Sequence, residues 1–173
     1  GREALQQAEK RVIKTEREKA YLAAVASLYQ GDEKADYGAR KIAYLNAMEQ
    51  VWMQNPDDRE AAVFYALALI STAAPKDKTY AKQKKALDLL QKVLEHEPGH
   101  PGVAHYIIHG SDYPGLAEFG LSAAQTYAKI APAVPHALHM PSHIFIRLGQ
   151  WPEAVQSNLA AYHAAKDYAR KNA

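Results

Sequence analysis

The chain contains no cysteine. That excludes disulfides and thiolate metal sites and leaves the redox compartment open. It also lacks a charge bias. Its 21 basic and 19 acidic residues give a formal net charge of +2, too little for the broad positive field that nucleic-acid binding uses. Long apolar runs are missing too, and YALALI (65–70) is only part of an amphipathic helix, so no membrane span is expected. There is no Gly-rich phosphate loop, no nucleophile elbow and no interleaved basic and aromatic surface. An initiating Met and a signal peptide are also absent, and the chain opens inside a helical pattern at GREALQQAEK. It therefore reads as a soluble fragment or processed piece, cytoplasmic or periplasmic.

What is present is helix-forming sequence. At 173 residues and 48% hydrophobic content the chain has enough apolar material for a core, in one domain or one short repeat array. Ala, Leu, Gln, Glu and Lys dominate, and apolar residues recur at spacings of three and four. The breakers NPDD (55–58), EPGHPG (97–102) and APAVP (131–135) punctuate this pattern. Helices are predicted at 3–13, 16–29, 36–54, 58–73, 80–96, 102–110, 115–130, 136–148 and 152–170. Capping boxes are expected where Thr15 precedes Glu18 and Asp57 precedes Glu60 by three. Pro141 either kinks the 136–148 helix or starts a second short one.

Composition changes along the chain. Only nine of the forty charged side chains fall in residues 101–173, a stretch rich instead in His, Pro, Ala and aromatics. This reads as a charged scaffold followed by a more specialised surface. The five lysines of APKDKTYAKQKK (74–85) read as a solvated loop and helix start. Trp52 and Trp151 read as packing residues, and YHAAKDYARK (162–171) reads as a capping helix or an edge that packs on further repeats.

Histidine is the unusual feature. Four of the eight lie in HEPGHPGVAHYIIH (96–109). His96-Glu97-Pro98-Gly99-His100 matches the H-E-x-x-H zinc-protease pattern, but that chemistry needs one continuous helix. Pro98, Gly99 and Pro101 end a helix there, so His96 and His100 are read as surface residues at a junction. His105 and His109 differ, because four residues apart on a helix they share a face. Adding 34 to each gives His139 and His143, in HALHMPSHIF (136–145), with His136 one turn earlier.

The same offset of 34 separates Pro98 and Pro132, each at a helix end. LGQWPEAVQSNLAAYHAA (148–165) adds a Gly-x-aromatic junction, with Ala154 and Ala161 at packing positions. The pattern closely resembles the tetratricopeptide repeat, a helix–turn–helix unit of 34 residues. The resemblance implies an all-α, right-handed solenoid of about four units at 16–56, 59–98, 101–132 and 135–168, with helix 3–13 left from an earlier unit. The HYIIH…DYP…PHALHMPSHIF block further resembles a bacterial subset of such proteins.

The family implies a concave groove lined by first-helix side chains, which recognises a peptide, protein segment or small polar partner. His105, Tyr106, His109, Asp112, His136, His139 and His143 are the candidate lining residues. The alternative is a site for Zn, Cu or Ni on His105, His109, His139 and His143, as a metal-binding protein or a metal-assisted enzyme. Asp112 would then orient a histidine or act as a base, and otherwise serves as an N-cap in the SDYPG turn (111–115). No residue is assigned as catalytic. The bland reading also stands, in which repeat duplication leaves histidines that only stack or hydrogen-bond tyrosines.

Overall fold

The computed structural model describes residues 1–11, 15–29 and 36–172. The end of the predicted 3–13 helix and the loop at 30–35 lie outside them. Among the described residues there are ten helices and no strand. The chain forms two compact units, Gly1–Ala86 and Leu87–Ala173.

The first unit holds α1 (Arg2–Glu9), α2 (Glu16–Ser27), α3 (Tyr37–Gln54) and α4 (Arg59–Ser71). The division between units falls within α5 (Ala81–His96). Helix α3 packs on both α2 and α4. It buries Leu45, Met48 and Val51, which recur at three and therefore share one stripe. The capping box of Thr15 and Glu18 is formed as its spacing predicts. The expected box at Asp57 is not, because the N-cap of α4 is Asp58, one residue later, which accepts from the Ala61 amide. Asp58 is drawn into that role by the Arg17 guanidinium and the Tyr21 hydroxyl (2.9 Å), both of which donate to its carboxylate. Trp52 stacks on Tyr65 with ring centroids 5.3 Å apart. The Lys85 ammonium ties the Tyr65 hydroxyl (2.7 Å) to Glu49. Lys82 donates to the Thr72 carbonyl at 3.0 Å, so two lysines of the basic stretch hold structure.

The second unit contains α6 (Pro101–Ser111), α7 (Ala117–Ile130), α8 (Pro135–His139), α9 (Pro141–Arg147) and α10 (Trp151–Lys171). Helix α7 packs on α6 and α9, while α10 packs on α8 and α9. Helix α6 buries Val103, Ala104, Ile107, Ile108 and Ser111. That is one face of a 3.6-residue period, and it leaves positions 105 and 109 on the opposite side. His100 is not a bare surface residue. It is the half-buried N-cap of α6, accepting the Val103 amide at its Nδ1, with Pro101 in the first helical position, where no donor is needed.

Pro141 does start a second short helix. It has no amide hydrogen to continue α8, so the chain passes through Met140 in helical conformation and re-forms as α9. At Gly149, φ is +72°, a conformation glycine adopts without strain, and the chain turns there into α10. Trp151 departs from the packing role expected of it, being 61% exposed beside exposed Val155 and Leu159.

A close packing constraint within the second unit is at Gly120 of α7. A Cβ there would lie 2.8 Å from Ile144 Cδ1 and 2.9 Å from Ser111 Cβ. Ala has the better helix propensity by about 1 kcal/mol, but overpacking costs about 1–3 kcal/mol, and Ser111 Cβ is tied to the backbone. Gly120→Ala is therefore expected to lower the melting temperature by several degrees. Gly99→Ala, with nothing within 4 Å of the new methyl, should leave it unchanged or slightly raised. Thermal unfolding followed by circular dichroism checks both.

Candidate functional site

Helices α6, α8 and α9 each turn an apolar side inward and an imidazole side outward. On α6, His105 and His109 are one turn apart, and their Nε2 atoms are 3.0 Å from each other. On α8, His136 reaches across to α6, placing its Nε2 3.0 Å from that of His105. One nitrogen from each of these three residues lies within 4.8 Å of the others. His139, at the end of α8, and His143, on α9, form a second pair with Nε2 atoms 3.1 Å apart.

The four-histidine set expected from the repeat offset is thus divided differently. His136 joins His105 and His109, whereas His139 and His143 pair with each other. The offset could not select His136, since the position 34 residues earlier is Gly102. His96 is exposed and its Nδ1 lies 2.9 Å from the Lys92 carbonyl. With His96 engaged there and His100 capping α6, neither belongs to these groups.

Aromatic rings support His105 from two directions. It stacks on Tyr106 at 5.5 Å and on Tyr127 of α7 at 5.7 Å, with planes 25° and 12° apart. Burial pushes the Tyr127 hydroxyl up, with Tyr106 adding to the effect. Asp112 is not an N-cap. It occupies the C-cap position of α6, and the N-cap of α7 is Leu116. The Asp112 carboxylate faces α9, where it lies 3.0 Å from His143 Nδ1 and accepts from Arg147 Nε at 2.8 Å. On the other side, Asn158 of α10 places its Oδ1 2.7 Å from His139 Nδ1.

Arg147 and Asn158 were not among the sequence candidates. Arg147 had a signal, because it stands one turn after His143. Asn158 had none, because its contact spans 19 residues between two helices.

Electrostatics keep the α6 imidazoles neutral. Burial pushes the His105 pKa down to about 4, and the neighbouring His109 and His136 push the same way. His109 is lowered as well, first by burial and then by His143 and His136, against the opposing pull of Asp112. His105 and His109 therefore present uncharged nitrogen donors and acceptors at neutral pH, and Arg147 and Asp112 neutralise each other beside them.

No family model and no curated protein matches the chain. A solved structure titled MamA MSR-1 C2, of a protein containing tetratricopeptide repeats, is similar at 17% identity. The likeness covers 87% of this chain and 89% of that one, with a TM-score of 0.59. It shows the fold, an all-α solenoid of tetratricopeptide-like helix pairs.

The depressed His105 pKa fixes the sign of a pH effect. Between about 4 and the unperturbed value near 6.5, the unfolded chain binds more protons at this residue than the folded chain does. Stability of the metal-free chain is then complete above pH 6.5 and falls as pH drops towards 4. The loss is expected to be about 1–2 kcal/mol after allowance for the partial exposure of the ring. Urea unfolding at pH 7.5 and 4.5 measures it. His105→Gln should flatten this dependence, and an equally steep loss in that variant would refute the assignment.

Proposed function

We propose that this chain is a protein-interaction module, and that the imidazole face of the second unit takes an extended peptide or protein segment. The fold likeness supports an interaction role, since stacked helix pairs build their surfaces from side chains of successive helices. The observation that carries the reading is the arrangement of His105, His109, His136, His139 and His143. These partly exposed rings are held by α6, α8 and α9, in a stretch that has little other charge. Neutral imidazoles both donate and accept hydrogen bonds, as the amides and carbonyls of an extended segment require. Tyr106 and the imidazole rings add apolar faces that a partner can cover. Arg147 and Asp112 at the edge provide a charge-sensitive rim, which favours orientation and selectivity over raw affinity.

The test is selection from a displayed library of random peptides on the wild-type chain, followed by affinity measurement on variants. Peptides that use this face should bind the His109→Ala/His136→Ala chain about tenfold more weakly, as expected for loss of two hydrogen bonds of roughly 0.5–1.5 kcal/mol each. Binding should be unchanged by His96→Ala. Selection that yields no peptide, or peptides indifferent to the double substitution, would refute this recognition surface.

A further inference from the structure

We propose that the imidazole face of the second unit holds divalent ions of the zinc, nickel or copper class at two adjoining subsites, one formed by His139 and His143 and the other by His105, His109 and His136. The proposal goes beyond peptide recognition and does not depend on it. The positions of the ring protons carry it.

Asn158 donates its amide hydrogen to the Ala154 carbonyl at 2.8 Å. A carbonyl can only accept, so this contact fixes which end of the amide is nitrogen and leaves Oδ1 facing His139. That oxygen lies 2.7 Å from His139 Nδ1, which must carry the hydrogen. On α9, the Asp112 carboxylate accepts from Arg147 and lies 3.0 Å from His143 Nδ1. A carboxylate likewise only accepts, so His143 Nδ1 carries a hydrogen too. A neutral imidazole has one N–H. With both rings neutral, both Nε2 atoms are bare, and they face each other across 3.1 Å.

Two lone pairs aimed at one another are unfavourable until a proton or a metal ion stands between them. Two nitrogens bound to one tetrahedral ion at about 2.0–2.1 Å lie roughly 3.3–3.4 Å apart. A few tenths of an ångström of side-chain movement converts the observed pair into a chelate. Outer partners that hold the far nitrogen of a ligating histidine, as Asp112 and Asn158 do, are the usual means of setting its tautomer and ring orientation.

The trio has the same surplus of nitrogen. His105 Nε2 is 3.0 Å from both His109 Nε2 and His136 Nε2. A single ring nitrogen offers either one hydrogen or one lone pair, so it makes only one of these two hydrogen bonds well. A proton bridges two nitrogens, whereas a metal ion takes three. The donors identify the class of ion. Imidazole nitrogen without thiolate suits Zn, Ni and Cu, whereas Mg and Ca require oxygen ligands.

The experiment is calorimetric titration of the full chain, untagged, stripped with EDTA and dialysed, with Zn²⁺, Ni²⁺ and Mg²⁺ at pH 7.5. Wild type should take up two Zn²⁺ or Ni²⁺ ions and no Mg²⁺. His143→Gln and His136→Gln should each lose one, and His96→Gln neither. Asn158→Leu should keep both but weaken one about tenfold, in line with the loss of an outer-shell partner. Circular dichroism establishes that each variant is folded. Should one be unfolded, nitrogen-15 spectra of the wild-type rings decide, because Zn²⁺ must shift the Nε2 signals of His139 and His143 while their Nδ1 atoms stay protonated. Absence of uptake, uptake unaltered by both histidine substitutions, or a single ion lost with either one would overturn the two-subsite arrangement.

Discussion

The approach of α7 to α6 and α9 at Gly120 is the constraint on which the second unit depends. Only a hydrogen fits between Ile144 and Ser111 at that point. Helix α7, which also buries Ala117, Ala123 and Ala124, packs on the two imidazole-bearing helices α6 and α9. The same two helices bring Asp112 to within 3.0 Å of His143. One residue ends α6 and the other stands on α9, and α7 packs on both of these helices.

Packing and polar contacts contribute at different scales. Val103, Ile107, Ile108, Met140 and Ile144 are almost completely buried, and each such side chain is worth roughly 1.5–3 kcal/mol of transfer free energy. The hydrogen bonds on the outer face each add about 0.5–1.5 kcal/mol. The apolar side therefore holds the helices in place, and the outer bonds select ring orientations on a surface already built. This separation explains how five histidines can be gathered without an acidic partner for each. The fold pays for their proximity, and the burial that keeps His105 and His109 uncharged limits repulsion on α6.

Much of this was legible in the sequence, and the reasons are local. Helical spans followed from composition and apolar spacing. The pairing of His105 with His109 followed from four-residue spacing on one helix, and that of His139 with His143 persists across the break at Pro141 because Met140 keeps helical backbone angles. The 34-residue offset was also legible, but it states equivalence between units rather than distance. The partnership of His136 with His105 depends on how α8 leans towards α6, which no local pattern encodes. Asn158 was invisible for the same reason. The packing role that the repeat junction implies for Trp151 depends on a neighbour that no local pattern specifies, and the side chain is mainly exposed. The cap of α4 moved from Asp57 to Asp58 because Arg17 and Tyr21, some forty residues earlier, bind that carboxylate.

Helix α8 has only five residues, too few to stand alone against the cost of helix nucleation. Two adjacent residues of α10 hold it. Ser157 donates to the Leu138 carbonyl beside the proline break, and Asn158 meets the ring of His139. Both contacts require α10 to arrive at one rotational setting. Inserting or deleting one residue between Gly149 and Ser157 would turn the rest of that helix by about 100° and carry both side chains off α8. Such a change alters no histidine and leaves α10 just as helical, yet it dislodges α8. The connection is therefore length-critical, and insertions that a surface turn normally tolerates have no silent place between α9 and the middle of α10.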